Sequence, residues 1–291
     1  MSTTQSPTQF KSVDADGVSI FYREAGPADA PVLLLLHGFP ASSHMFRNLM
    51  PLLAPHYRVI APDMPGFGFT EVPASRQYRY RFEDLSHTVA AFVDALALPR
   101  FALYVFDYGA PVGFRLAMAQ PQRVSAIVSQ NGNAYEEGLG EAWAPFQRYW
   151  QQPTLENRLA LREALTLETT RWAYTHGLAD ASQVAPEAYH LDAALMARPG
   201  QQDIQLDLFL DYASNVAAYP RFHEYFRAHQ PPLLAIWGQH DALFVPAGAQ
   251  AFVRDNPRAT VQLLDAGHFA LETYAAPVAS AMLQFLNPIL R

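Results

Sequence analysis

The sequence predicts an α/β fold in which a mostly parallel sheet is covered by helices on both faces. Short apolar runs, which predict strands, alternate with longer segments that carry apolar residues at helical spacing. A long helical stretch interrupts this alternation, and the strand pattern then resumes. Strands that alternate with helices form parallel sheets with two buried faces, because each connecting helix crosses over the sheet.

The N-terminal half of the chain establishes this pattern. The residues up to about Lys11 are polar and predict a disordered tail. Apolar residues at helical spacing predict a helix that starts at Phe82 and ends before Pro99. The strands predicted in this half cover residues 18–22, 32–36, 57–61, 101–106 and 124–129, and the helices cover 45–53, 82–96 and 112–120.

The pattern of apolar residues changes in the middle of the chain. Residues 132–227 show helical patterns with scattered aromatic residues and no convincing strand. We therefore predict one core domain formed by residues 12–131 and 228–291, with a helical insert at 132–227 between its two parts. The strands and helices predicted after the insert cover 233–237, 247–254, 260–264 and 277–289.

Composition limits the classes of function. The chain has 291 residues, of which 50% are hydrophobic, and this suffices for a sizeable core. The net charge of −7 and the lack of a long basic stretch argue against binding to nucleic acid or to an anionic membrane. The absence of cysteine excludes disulfides, thiolate catalysis and cysteine metal sites. No signal-peptide core precedes residue 11, and the longest aliphatic run, Val32–Leu36, is too short to cross a bilayer, so a cytoplasmic location is expected.

The segment 104–113 has the shape of a nucleophile elbow. It follows an apolar strand, and Gly109 and Gly113 permit a tight turn into a closely packed helix. Such a turn exposes one side chain at the top of the sheet, beside a helix N-terminus, and here that side chain is Asp107. A carboxylate in this position attacks carbon and forms an ester, which indicates substrates such as epoxides or alkyl halides. The alternative is an ordinary helix-capping aspartate, and the local string does not separate the two.

Three further motifs follow predicted strands. His-Gly-Phe-Pro at 37–40 places a backbone N–H, that of Phe39, where it could form an oxyanion hole with the N–H of Tyr108. Asp241 and His268 each lie just after a strand, and the carboxyl ends of parallel strands meet at one edge of the sheet. The chain order of nucleophile, acid and histidine is typical of a catalytic triad built on such a sheet.

These motifs make the chain similar to the α/β-hydrolase superfamily over nearly its full length. The resemblance rests on the motifs at 37–40 and 63–68, the elbow, Asp241 and the Gly-His pair that ends at His268. It implies an eight-stranded sheet and identifies the insert at 132–227 as a helical cap. An aspartate in the elbow is typical of one branch, which contains the epoxide hydrolases, the haloalkane dehalogenases and the fluoroacetate dehalogenases.

The resemblance also implies a role for each candidate catalytic residue. Asp107 attacks the substrate carbon, and His268, oriented by Asp241, activates a water that hydrolyses the resulting ester. The N–H groups of Phe39 and Tyr108 stabilise the charge that builds on the ester oxygen. The resemblance implies neither a metal nor an organic cofactor.

The leaving group distinguishes the members of this branch. Haloalkane dehalogenases hold the halide with a tryptophan and usually an asparagine, at positions that Tyr108 and Phe39 occupy here. Epoxide hydrolases use two cap tyrosines. Tyr212 matches the second, whereas Phe146 falls at the position of the first and Tyr149 lies one helical turn beyond.

We therefore expect hydrolysis of epoxides to diols, with Tyr212 or Tyr149 as the acid that protonates the ring oxygen. Tyr212 as an ordinary packing aromatic stays open. Hydrolysis of haloalkanes or haloacids is the second interpretation. A non-catalytic small-molecule binding protein on the same fold is the third.

The remaining expectations concern the pocket and its partners. His37, Asn131, Phe146 and Trp150 are expected to lie around it, His37 as a residue that fixes a loop and Asn131 as one that orients a water or the leaving group. The expected partners are a small apolar organic substrate and water. The sequence leaves a homodimer open.

Overall fold

The structure, a computed structural model, describes residues 7–290 and contains one sheet of eight strands. The strand order across the sheet is β1-β2-β4-β3-β5-β6-β7-β8. The predicted α/β class and the eight-stranded, mostly parallel sheet are confirmed. The strands are β1 (Gln9–Ala15), β2 (Val18–Ala25), β3 (Val32–Leu36), β4 (Arg58–Pro62), β5 (Phe101–Phe106), β6 (Val124–Gln130), β7 (Leu233–Gly238) and β8 (Thr260–Leu264).

Strand direction divides the sheet. β2 pairs antiparallel with both β1 and β4, and all pairs from β4 to β8 are parallel. Every residue of the central strands β5, β6 and β7 is buried, as expected for parallel strands covered on both faces. In β3, Leu34 and Leu36 join the core on one face, and Leu33 and Leu35 join the core on the other.

Helices cover both faces of the sheet. Phe92 and Phe114 pack into one core from the helices α2 and α3, and Met282 packs into the other from α11. None of these helices, within residues 7–290, is long and apolar enough to cross a membrane. The helices are α1 (Met50–Leu53), α2 (Phe82–Ala95), α3 (Gly109–Ala119), α4 (Ala144–Gln151), α5 (Leu155–Ala160), α6 (Leu167–Thr175), α7 (Pro186–Met196), α8 (Gln201–Asp211), α9 (Ala213–His229), α10 (Pro246–Asp255) and α11 (Leu271–Leu290).

The segment between β6 and β7 is helical, and helices α4 to α9 lie in it without an intervening strand. This agrees with the helical texture predicted for residues 132–227. The division into a core of 12–131 and 228–291 and a cap of 132–227 stays a prediction.

The structure corrects the prediction of a disordered N-terminal tail. The predicted disordered tail reached Lys11, but β1 begins at Gln9, and only residues 1–6 of that prediction lie outside the described chain. The strand forms because its backbone pairs with β2, which places Phe10 opposite Arg23. The Arg23 guanidinium then lies 5.0 Å from the centre of the Phe10 ring. A polar composition does not reveal a partner strand.

Two predicted helices differ in detail. Residues 45–53 form a 3₁₀ turn (Ser43–Phe46) and the separate short helix α1, because Pro51 lacks the N–H that a continuous helix would use. The C-terminal helix begins at Leu271, before the predicted residue 277, and is interrupted at Tyr274, whose backbone is non-helical at φ −118 and ψ 21. Pro277 lies three residues beyond this kink, and a proline ring crowds the preceding turn of a helix.

Candidate active site

Asp107 lies between the end of β5 and the start of α3, with its backbone in the left-handed region at φ 48. The turn is so tight that the position two residues after Asp107 must be glycine. A Cβ at Gly109 would lie 2.3 Å from the carbonyl oxygen of Leu36, which leaves no room for a side chain. The local sequence thus forms the predicted elbow and holds one non-glycine residue in an uncommon backbone conformation.

One oxygen of the Asp107 carboxylate is held by two backbone N–H groups. Phe39 donates to Oδ1 over 2.7 Å, and Tyr108 donates to the same oxygen over 2.6 Å. A Cβ at Gly38 would lie 2.3 Å from that oxygen, so the bare backbone of the loop is what lets the carboxylate approach. The two N–H groups predicted for an oxyanion hole therefore converge on one point.

His268 and Asp241 lie on the other side of the carboxylate. His268 Nδ1 is 2.7 Å from Asp241 Oδ2, and Nε2 is 3.7 Å from Asp107 Oδ2. Nε2 is buried and has no hydrogen-bond partner within residues 7–290. The other oxygen of Asp241 accepts the N–H groups of Leu243 at 2.7 Å and Phe244 at 3.1 Å. The structure brings the three predicted residues together, with Nε2 of the imidazole facing Asp107.

Asn131 forms hydrogen bonds with Asp241 and with the end of strand β7. Its Nδ2 donates to Asp241 Oδ2 over 2.6 Å, and its Oδ1 accepts the N–H of Gly238 over 3.0 Å. Both ends of the Asn131 amide thus contact Asp241 and Gly238, and the expectation that Asn131 orients a water or a leaving group stays a prediction. Gln130, which the sequence analysis missed, donates to Asn131 and to the backbone oxygen of His268. A polar residue at the end of a wholly buried strand was the available signal.

The electrostatics of the site couple the three side chains. Burial raises the pKa of Asp107 to about 6, against the opposing effects of His268 and of the Phe39 and Tyr108 N–H groups. Burial lowers the pKa of His268, but the carboxylates of Asp241 and Asp107 outweigh it and the net pKa is raised. The site thus favours a proton on the imidazole when both carboxylates are charged.

Aromatic side chains from the helical segment close over the carboxylate. Tyr212 is fully buried, and its hydroxyl has no hydrogen-bond partner within residues 7–290. Its ring centre lies 5.7 Å from that of Tyr108 and 4.4 Å from that of Trp143. Phe146 packs 5.1 Å from Trp143, and Trp150 stacks on Tyr212 at 5.9 Å. The predicted pocket aromatics Phe146 and Trp150 therefore belong to one cluster with Tyr212.

Tyr149, the other predicted ring-opening tyrosine, is engaged elsewhere. Arg158 Nη1 donates to its hydroxyl over 3.3 Å. Arg158 also forms ion pairs with Asp203 and Asp207, whose side chains are 59% and 56% exposed. The Tyr149 hydroxyl thus lies against a charge cluster at the surface, and the choice between Tyr149 and Tyr212 as the acid stays a prediction.

The four tryptophans offer few free donors. Trp143 and Trp237 donate their indole N–H groups to the backbone oxygens of Leu243 and Phe244, at 3.0 and 2.7 Å. Trp150 donates to a backbone oxygen in α8 at 2.7 Å. The fourth, on α6, is 39% exposed. The indole groups around the buried site are therefore occupied.

His37 fixes the loop that carries Phe39. It is fully buried, its Nε2 accepts the N–H of Met64 over 3.0 Å, and its Nδ1 lies 3.0 Å from the oxygen of Gly38. Those partners require a neutral ring protonated on Nδ1, and burial lowers the pKa of His37 accordingly. These contacts join His37 to the loop, and its role in fixing that loop stays a prediction.

Comparisons with known proteins agree with this geometry. A family model described as the alpha/beta hydrolase fold matches residues 31–274. An uncharacterized hydrolase of Saccharomyces cerevisiae is 46% identical over 272 residues, which are 92% of this chain and 93% of that protein. Epoxide hydrolase 2 of Caenorhabditis elegans is 26% identical over 95% of this chain and 79% of its own length.

A solved structure extends the likeness to three dimensions. The crystal structure of the haloalkane dehalogenase DbeA from Bradyrhizobium elkani superposes with a TM-score of 0.76 and 25% identity, over 97% of this chain and 99% of that one. The family model covers well over half of the chain. The described residues form an eight-stranded sheet, with the elbow at Asp107 at the end of one of its strands. The chain therefore belongs to the α/β-hydrolase fold family and is a hydrolase.

Proposed function

We propose that the chain hydrolyses epoxides to diols through a covalent ester on Asp107. The observation that carries this proposal is the unequal use of the two carboxylate oxygens. Oδ1 is held by the N–H groups of Phe39 and Tyr108, while Oδ2 faces His268 across 3.7 Å. Oδ2 is thus the oxygen available for attack, and Oδ1 becomes the ester carbonyl oxygen already lying in its oxyanion hole.

Ring opening requires an acid as well as a nucleophile. Oδ2 of Asp107 forms a bond to a ring carbon, the ring C–O bond breaks, and the departing oxygen takes the proton of the Tyr212 hydroxyl. Tyr212 suits this role because its hydroxyl is buried and its ring contacts that of Tyr108. The tyrosinate is reprotonated from water before the next turnover.

The second half of the reaction uses the imidazole. Neutral His268 donates from Nδ1 to Asp241 and takes a proton from a water through Nε2. The water oxygen adds to Cγ of Asp107, and charge moves onto Oδ1 between its two N–H donors. The ester C–O bond then breaks, and the diol leaves with a proton from His268. The second proton of the added water leaves Asp107 to solvent, which restores the carboxylate with one oxygen from water and balances the proton that Tyr212 takes up.

Dehalogenation is the second candidate, favoured by the full-length likeness to a haloalkane dehalogenase structure. The residues around Asp107 support dehalogenation less than they support epoxide hydrolysis. A halide needs N–H donors beside the nucleophile, and the indole groups of Trp143, Trp150 and Trp237 already donate to backbone oxygens. An epoxide needs a proton donor, which Tyr212 provides. We also propose that residues 132–227 act as the cap that supplies Tyr212 to a core of 12–131 and 228–291.

The test is a pair of variants with a panel of epoxides and haloalkanes. We expect Asp107→Asn to abolish turnover. We expect His268→Gln to form the ester but not to hydrolyse it, so that mass spectrometry finds the substrate mass added at Asp107. Turnover of an epoxide by Asp107→Asn at the wild-type rate would contradict the proposal, and turnover of haloalkanes alone would favour the second candidate.

A further inference from the structure

We propose that Tyr219 is a positioning residue, whose hydroxyl stabilises the Tyr212 oxygen when Tyr212 gives its proton to the substrate. The inference rests on the proposed function, because it concerns the acid that opens the ring. It adds a second buried tyrosine, on α9, to the groups that ring opening requires.

The Asn133 amide shows which way the Tyr219 hydroxyl is turned. Asn133 is fully buried, and its Nδ2 lies 2.7 Å from the backbone oxygen of Tyr135. A carbonyl oxygen only accepts hydrogen bonds, so the amide atom that faces it must be the nitrogen. The amide oxygen accepts the N–H of Tyr135 over 3.2 Å. The backbone of Tyr135 therefore fixes the orientation of the Asn133 amide.

The same amide nitrogen donates to the Tyr219 hydroxyl over 3.2 Å. An amide nitrogen cannot accept, so Tyr219 is the acceptor in this bond. A hydroxyl carries one proton, and that of Tyr219 is thus available for another oxygen. Tyr219 is 1% exposed, so bulk solvent does not supply that oxygen.

The Tyr212 hydroxyl is the neighbour that this proton can reach. Tyr219 follows Tyr212 by two helical turns, and the backbone of Tyr212 is already helical at φ −58 and ψ −26, so both side chains leave one face. The two hydroxyls lie near enough for each to alter the pKa of the other. Among the described residues, the Tyr212 hydroxyl makes no hydrogen bond of ordinary geometry. Catalytic hydrogen bonds are often long before substrate binds and tighten in the reacting complex.

The charge states of the two tyrosines determine the direction of this bond. Burial raises the pKa of both Tyr212 and Tyr219, so each carries its proton near neutral pH. A charged Tyr219 would raise the pKa of Tyr212. A neutral Tyr219 instead donates its O–H, and a donor stabilises the negative charge that develops on the Tyr212 oxygen.

Ring opening then uses the residues in series. The Asn133 N–H donates to the Tyr219 oxygen, and the Tyr219 O–H donates to the Tyr212 oxygen. As the ring C–O bond breaks, the proton of Tyr212 moves to the departing oxygen and Tyr219 keeps its own proton. Tyr219 therefore acts only through Tyr212, and only in the step that forms the ester.

The first test separates ester formation from ester hydrolysis by rapid quenching and mass spectrometry with an epoxide. Tyr219→Phe keeps the ring and loses the hydroxyl. We expect it to slow ester formation by about tenfold or more and to leave ester hydrolysis unchanged. Tyr225→Phe, which alters another buried tyrosine of α9, is the matched control and should change neither step.

A double variant distinguishes positioning from packing. In the Tyr212→Phe background, Tyr219→Phe should have no further effect on ester formation, because the oxygen that it supports is gone. A loss by the same factor in both backgrounds would show a structural role and overturn the inference. An unchanged rate in Tyr219→Phe alone would overturn it as well.

The pKa of the phenol at position 212 gives a readout that needs no turnover. A fluorinated tyrosine, whose phenol is more acidic, is placed at position 212, and its fluorine signal reports the protonation state. We expect Tyr219→Phe to raise this pKa by about one pH unit and Tyr225→Phe to leave it in place. If no epoxide is opened, the proposed function fails, and this titration still decides whether Tyr219 donates to residue 212. A pKa unchanged in Tyr219→Phe would overturn the inference.

Discussion

At the scale of single residues, Asp107 meets two opposing demands. It must be ionised to attack carbon, yet burial raises its pKa to about 6. The N–H groups of Phe39 and Tyr108 and the charge of His268 act in the opposite direction. The acidity of the nucleophile is therefore set by its surroundings and can be measured.

We predict that ester formation falls as the pH decreases through about 6, because protonated Asp107 cannot attack. Rapid quenching followed by mass spectrometry of the His268→Gln variant measures this step. His268 lowers the pKa of Asp107 when charged, so the variant should show a midpoint somewhat higher than the wild type. A midpoint near pH 4, the ordinary value for aspartate, would contradict the prediction.

At the scale of elements, the contacts of two helices distinguish two tyrosines. Tyr212 follows α8 and points its ring at the site, whereas Tyr149 on α4 binds Arg158. We predict that Tyr212→Phe lowers kcat for epoxides by about 100-fold or more, because the ring oxygen loses its acid. Any alkyl halide that is turned over should be much less affected, since a halide leaves without a proton.

Tyr149→Phe is the matched control for this prediction, since it removes the same hydroxyl from the neighbouring helix. Its kcat should stay near the wild-type value. Equal losses in both variants would show that the hydroxyls act through packing of the helical segment.

The elbow between β5 and α3 depends on a close approach of backbone. A Cβ at Gly109 would lie 2.3 Å from the oxygen of Leu36, while a Cβ at Gly200 would meet nothing within 4 Å. We predict that Gly109→Ala lowers the free energy of unfolding by several kcal/mol, roughly the upper end for point substitutions. Gly200→Ala, strained only by its φ of 78, should cost about 1–2 kcal/mol. Denaturant unfolding of both variants measures the difference, and equal losses would exclude the steric explanation.

At the scale of the whole molecule, the buried nucleophile reduces stability. The folded pKa of Asp107 is about 6, whereas an unfolded aspartate titrates near 4. Between these pH values the folded chain binds more protons than the unfolded chain. The stabilisation that Asp107 gives to the folded state is therefore fully present below about pH 4 and lost above about pH 6.

We predict that Asp107→Asn is more stable than the wild type by about 1–3 kcal/mol at pH 8, and by less at pH 5. The asparagine oxygen still accepts the two N–H groups and carries no charge. Thermal unfolding at both pH values measures the difference. Asp94→Asn, which alters a carboxylate that is 62% exposed, is the control and should show no such gain. An Asp107→Asn variant that is less stable at pH 8 would contradict the prediction.

The family, the sheet and the positions of Asp107, Asp241 and His268 followed from the sequence. Hydrophobic period and turn chemistry are local properties, and an elbow needs its glycines at fixed spacing. The carboxyl ends of parallel strands must meet at one edge, so the order of motifs along the chain also implied their proximity.

The partners of individual polar atoms were decided by the tertiary structure. It placed the Asn131 amide against Asp241 and the Tyr149 hydroxyl against Arg158. It also paired β1 with β2, where the polar sequence had predicted a disordered tail. The physical reason is one of range: strand period and turn geometry depend on neighbours a few residues away, whereas a hydrogen-bond partner depends on groups that only folding brings within about 3 Å.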